Sequence, residues 1–157
     1  MKTQPATGET YPKSDLFNKA DESLRKAKKK KKTFCVLIID LDNFKPINDN
    51  FGHSEGNEVL CNFADMLEDL SSSKSVVARL GGDEFGVLLP ESTYKEAEEF
   101  LHKLRAGITS YNLNSQKKYN IDFSAGIIEY DEEIHTECSA IMQDADERMY
   151  EIKKGKR

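Results

Sequence analysis

Two short apolar runs, residues 76–80 and 85–89, are separated only by Gly81-Gly82-Asp83-Glu84, and that spacing predicts an antiparallel hairpin closed by a glycine turn. Pro90 ends the second run. A lone hairpin is marginal in water, so the chain needs further strands to pair with it. Residues 34–39 supply one: they are apolar, β-branched and cut off by Asp40, the pattern of a strand buried on both faces. Tyr119, Ile121, Phe123, Ala125 and Ile127 alternate with Asn120, Asp122, Ser124 and Gly126, which predicts a half-buried strand.

Helical periodicity fills the intervals. Leu16, Ala20 and Leu24 recur every four residues from Asp15. That helix runs into residues 25–32, seven cations interrupted only by Ala27. They read as a solvated helix end facing the negative pole of the dipole; the other reading is a docking patch for anionic lipid or a partner. After a turn-like stretch at 48–56, Val59, Leu60, Phe63, Leu67 and Leu70 lie on one helix side, closed by serines 71–73. Thr93 and Glu96 have capping-box spacing ahead of Ala97, Phe100, Leu101, Leu104 and Ile108. A last helix over about 136–153 buries Ile141, Ala145, Met149 and Ile152. The order predicts an α+β domain over 15–157, a mainly antiparallel sheet flanked by helices, after a tail or wide turn at 1–14 with Pro5, Gly8 and Pro12. No internal repeat or second domain is visible.

Charge and cysteine usage narrow the partners. With 28 acidic against 23 basic residues the net charge is −5, which argues against nonspecific nucleic-acid binding. Cys35, Cys61 and Cys138 have no metal-ligand spacing and read as reduced thiols of a cytoplasmic protein. The longest apolar run, 34–39, is too short to span a bilayer, and residues 1–10 lack the apolar core of a signal peptide. The expectation is a soluble stretch with no membrane segment of its own, within a parent that is free to be membrane-anchored. His53, His102 and His135 are not spaced for metal, and His53 reads as a packing residue of the turn.

The acids stand where strands end. Asp40 and Asp42 follow the first strand and share a side if it continues; Asp83 and Glu84 occupy the hairpin tip. If that strand lies beside the hairpin, Asp40 and Asp83 converge. Two carboxylates side by side repel unless a hard cation joins them, and Mg²⁺ (or Mn²⁺) completes such a site with water and phosphate oxygens. Gly81 and Gly82 let backbone approach phosphate without a Cβ, and Phe44 and Lys45 offer backbone N–H groups. Spacing alone also leaves open a pair of unrelated acidic turns.

Gly81-Gly82-Asp83-Glu84-Phe85 matches letter for letter the motif of the GGDEF family of diguanylate cyclases. Asp40-Leu41-Asp42-Asn43-Phe44-Lys45 resembles that family's DxDxFK segment. Ile47-Asn48-Asp49 and Phe51-Gly52-His53 resemble its IND and FGH elements. Arg79, Ser124-Ala125-Gly126, and Ala145-Asp146 with Tyr150 and Lys153 fall in the matching order. The likeness runs from about Leu16 to the C-terminus.

The resemblance implies a ferredoxin-like nucleotidyl cyclase fold that joins two GTP into cyclic di-GMP with loss of two pyrophosphates. By similarity Asp40 and Asp83 bind metal through side chains and Leu41 through its carbonyl. Glu84 assists at the 3′-hydroxyl or second metal, Asn48 meets the guanine edge, and Lys153 with Arg157 holds the triphosphate. Each domain takes one substrate, which implies a homodimer, and the family implies sensory or phosphodiesterase domains in a longer parent. Some positions depart from the pattern. Asn57 stands where Asp is usual; its amide offers one acceptor and one donor end to guanine's N1–H and N2–H₂, which points to relaxed purine selectivity. Ser72 and Ser75 replace the RxxD pair, so product inhibition through that site is not expected. The opening turn survives only as Thr7-Gly8 with Glu9, Pro12 and Lys13, and Gly155 comes one residue early relative to KxxGR, which unsettles Arg157. The alternatives are a catalytically weak GTP-binding regulatory module or a cyclase of relaxed purine selectivity.

Overall fold

The computed structural model describes residues 13–156. Of the tail expected over residues 1–14, residues 1–12, with the opening turn up to Pro12, lie outside the described residues, as does Arg157; Lys13 and Ser14 are not tail but the start of the first helix. The elements run α1 (Lys13–Lys30), β1 (Phe34–Asp42), α2 (Phe44–Phe51), α3 (His53–Leu70), β2 (Val76–Gly81), β3 (Glu84–Pro90), α4 (Tyr94–Asn114), β4 (Asp122–Glu129) and α5 (Cys138–Gly155). The strands form one sheet in the order β2-β3-β1-β4, every neighbouring pair antiparallel. Crossovers through α3 and α4 make this a split βαβ arrangement, the ferredoxin-like α+β class.

The period of β1 sorts the core into two. Cys35, Leu37, Ile39 and Leu41 face α3 and α4, joined by Phe44 and Ile47 of α2. Phe34, Val36 and Ile38 face α1 and α5, against Leu16, Ala20, Leu24, Ile141, Ala145 and Met149. With both faces covered, Cys35 and Cys138 are buried on opposite sides and burial pushes each thiol up to about 12. Among the described residues no helix is long and apolar enough to cross a membrane.

The stretch at 48–56 is not a turn. It is the end of α2 and the start of α3, broken only at Gly52, whose φ of 94° favours glycine. Asn, Asp and Pro disguise α2, yet Phe44 and Ile47, three apart, bury one side of it, and Pro46 sits in the first turn, where no N–H is missed. His53 is correspondingly an exposed first residue of α3 rather than a packing residue. The last strand begins at Asp122, not near 119, because the side chain of Asn112 takes the backbone of Ile121. Its Oδ1 accepts from the Ile121 N–H at 2.8 Å and its Nδ2 donates to the carbonyl at 2.9 Å. Ile152, expected in the core, is 50% exposed, since the buried face of α5 ends at Met149. The capping box of Thr93 and Glu96 is present. The basic run ends α1 in solvent, with Lys26 paired to Glu22, Lys28 donating to the Thr136 carbonyl and Lys32 paired to Glu91.

Candidate active site

β1 runs on to Asp42, so Asp40 and Asp42 do share one side, the side covered by α1 and α5. Asp40 sits opposite Glu84 in the ladder, and Leu41 N–H donates to the Asp83 carbonyl at 3.0 Å. The hairpin tip is thereby fastened to the end of β1. Arg79 holds the tip from the other side, donating to the carbonyls of Gly81 and Gly82 at 2.7–3.2 Å. Gly81 and Gly82 have no positive φ, and a Cβ on either would meet open space. The turn itself does not demand glycine there, contrary to the expectation from sequence.

Four carboxylates converge at this edge. Burial raises Asp83 above the ordinary carboxylate range, the negative Asp40 beside it raises it further, and Lys153 partly offsets both. Glu84 is raised by burial first, then by Asp146, Asp40 and Asp83, with Lys13 opposing. Lys153 comes over from α5, its Nζ 2.8 Å from Asp40 Oδ2 and 3.3 Å from the Leu41 carbonyl. Lys156 donates to Asp42 Oδ2 at 2.8 Å and to the Phe123 carbonyl at 2.6 Å, and Ser124 Oγ donates to both oxygens of Asp42. Lys156 and the Asp42–Ser124 pairing escaped the sequence reading, and Asp146 entered it only as part of the closing-helix resemblance, with no role of its own. Lys156 follows the end of α5, so no helical periodicity marks it.

Among the described residues no group of three or more His, Cys, Asp or Glu side chains is arranged to hold a metal. The donors that do gather are two carboxylates, Asp40 and Asp83, and the carbonyl of Leu41. Asp40 Oδ1 is buried without a hydrogen-bond partner, while Asp40 Oδ2 and the Leu41 carbonyl already close around a positive charge, the Lys153 ammonium. This oxygen-only, electron-rich set fits a hard cation.

A second group of predicted residues meets at the α2–α3 corner. Half-buried Asn48 rests its Oδ1 directly over Gly56, so close that a Cβ at 56 would overlap it and also stand 3.3 Å from the Phe44 ring. Asn57 is exposed beside it on α3. Phe44 opens α2 with its ring buried, whereas the Lys45 side chain pairs with Asp49 in solvent at 2.8 Å. Asn43 precedes them in the left-handed region and makes no side-chain cap. Ser72 and Ser75 bond each other, Oγ to Oγ at 3.0 Å.

The family model described as "Diguanylate cyclase, GGDEF domain" matches residues 9–157. Diguanylate cyclase A of Treponema denticola is 32% identical over 129 residues, covering 82% of this chain and 34% of that protein. Probable diguanylate cyclase DgcE of Escherichia coli is 34% identical over 124 residues, 78% of this chain and 11% of that one. The GGDEF domain of PA1120 (TpbB or YfiN) from Pseudomonas aeruginosa superposes with a TM-score of 0.86 at 30% identity, covering 98% of this chain and 90% of that domain. The active GGEEF domain of a diguanylate cyclase from Vibrio cholerae gives a TM-score of 0.85 at 26% identity, covering 94% and 93%. The chain spans only 11% to 38% of the length of these and the other most similar curated relatives. By its motif, its sheet order and these matches, the chain belongs to the GGDEF family of diguanylate cyclases.

Proposed function

We propose that this domain condenses two GTP into cyclic di-GMP, two copies facing each other with one nucleotide apiece. The 3′-hydroxyl oxygen of one nucleotide bonds to the α-phosphorus of the other, the bond to pyrophosphate breaks, and the hydroxyl proton leaves; the step runs twice. The meeting of Asp40 and Asp83 at the end of β1 carries the reading. Mg²⁺ or Mn²⁺ bound by Asp40, Asp83 and the Leu41 carbonyl would polarise the α-phosphoryl group and acidify the attacking hydroxyl. Glu84, its carboxyl raised by burial and neighbouring acids, lies at the tip to take that proton. Lys153 holds the triphosphate as a point charge, with Arg157 as a second cation. The uncapped first turn of α2 offers the N–H groups of Phe44 and Lys45 to phosphate oxygens. Gly81 and Gly82 leave the hairpin open to the same approach, the use left for them once the turn is seen not to need them.

Asn48, held over Gly56, meets the guanine edge. Gly56→Ala should therefore displace Asn48 and raise KM for GTP about tenfold, with kcat changed far less, as expected for losing one buried hydrogen bond made equally in ground and transition states. Steady-state kinetics checks it; an unchanged KM would remove Asn48 from guanine recognition.

The direct test incubates concentrated protein with GTP or ATP and either metal and identifies products by mass spectrometry. Cyclic di-GMP from GTP is expected, and its absence at high protein concentration would leave a nucleotide-binding regulatory module. Exposed Asn57 favours a further element, relaxed purine selectivity. Asn57→Asp, which restores two acceptors for guanine, should raise the GTP-over-ATP ratio of kcat/KM about tenfold. An unaltered ratio would take Asn57 out of the recognition surface. Sensory or phosphodiesterase domains belong to the rest of a longer parent.

A further inference from the structure

Lys153 lies between two acids. Its Nζ is 2.8 Å from Asp40 Oδ2 and 3.9 Å from Asp42 Oδ1, so a small swing would exchange one partner for the other. Asp42 is the more buried of the two residues and is 9% exposed. A carboxylate so placed needs a counter-charge, and Ser124 alone, a neutral donor, does not supply one. Lys156 does. It reaches back from the residue after α5 to Asp42 Oδ2 at 2.8 Å, is fixed there by the Phe123 carbonyl at 2.6 Å, and has Asp122 Oδ2 at 3.6 Å.

We propose that Lys156 is a positioning residue: by neutralising Asp42 it keeps Lys153 directed at Asp40 and the edge where the triphosphate binds. This rests on the proposed function for the role of Lys153, but the arrangement of the four side chains stands independently. With the charge of Lys156 gone, Asp42 becomes a buried carboxylate without a counter-charge 3.9 Å from Lys153, and the ammonium turns inward to it. Lys153 is then withdrawn from Asp40 and from phosphate, although neither residue has been altered.

Anchoring and charge direction make different predictions in a double variant. If Lys156 merely ties down the end of α5, its loss cannot be repaired by altering Asp42. If it directs Lys153, removing the competing charge repairs the defect. The measurement is the calorimetric affinity of the full chain for a non-hydrolysable GTP analogue with Mg²⁺, alongside thermal midpoints. Lys156→Met is expected to weaken binding about tenfold, Lys156→Arg to keep it within about threefold, and Lys156→Met with Asp42→Asn to recover most of the loss. A double variant as weak as Lys156→Met, or a Lys156→Met variant of unaltered affinity, would overturn the inference. A wild-type chain that binds no analogue would overturn the proposed function and this inference with it. Binding by wild type without recovery in the double variant would overturn this inference alone.

Discussion

Asp83→Asn is expected to remove cyclic di-GMP synthesis and to make the metal-free domain more stable. The activity side follows from losing one of two side-chain oxygens that would hold the cation: several kcal/mol of transition-state stabilisation go with it, on the order of a 10³-fold drop in turnover. The stability side follows from Asp83 itself, whose carboxyl is raised by burial and by the negative Asp40, against the smaller pull of Lys153. A carboxyl whose folded pKa lies above its unfolded one binds its proton more tightly in the folded state. It therefore costs stability in full above the folded pKa, and the cost fades as pH falls through that value towards the ordinary range near 4. The neutral amide carries no such cost. At pH 7.5 the variant should unfold at a higher temperature than wild type, and the gap should close as pH approaches 4. Product analysis and calorimetry across that range check both halves. Retained synthesis, or a variant less stable than wild type at neutral pH, would separate Asp83 from the cluster at β1.

Where one local rule sufficed, the residues told the fold. The period of two in β1 predicts Asp40 and Asp42 on one side, and the convergence of Asp40 and Asp83 follows only on the condition that the strand pairs with the hairpin, which it does. Where tertiary contact overrode local preference, the reading failed. Residues 48–51 are poor helix formers and look like a turn, yet α2 forms because Phe44 and Ile47 need the core and Asn48 lies on Gly56. Tyr119 and Ile121 keep strand alternation, yet Asn112, nine residues before Ile121, captures the backbone first. Tyr119 instead donates its hydroxyl to Glu55 at 2.6 Å and tilts against Phe51, a pairing that no periodicity announces. Lys156 was invisible for a similar reason. Its partners come from β1 and β4, more than thirty residues away along the chain, and one of them is a backbone carbonyl.

Gly126→Ala should be the most damaging single methyl in the described structure. Gly126 lies opposite Ile38 on the face that α5 covers, and α5 crosses β4 there at backbone distance. A Cβ at 126 would overlap the Ala145 carbonyl oxygen and the Met149 amide nitrogen and stand 2.9 Å from Arg148 Cβ. The first two are helix backbone and cannot rotate away as a side-chain tip would, so the whole of α5 must lift. Overpacking of this kind costs about 3 kcal/mol, a fall in thermal midpoint on the order of 6–12 °C. Since α5 also carries Lys153, the lift should draw that ammonium off Asp40 and lower synthesis beyond what partial unfolding explains. The control is Gly107→Ala in the middle of α4, where the added methyl meets nothing within 4 Å. It should gain up to about 1 kcal/mol, because alanine loses less backbone entropy in a helix. Opposite shifts from the same one-carbon change would locate the effect in the α5–β4 crossing. A Gly126→Ala domain as stable as wild type would mean that α5 does not sit against β4 as described.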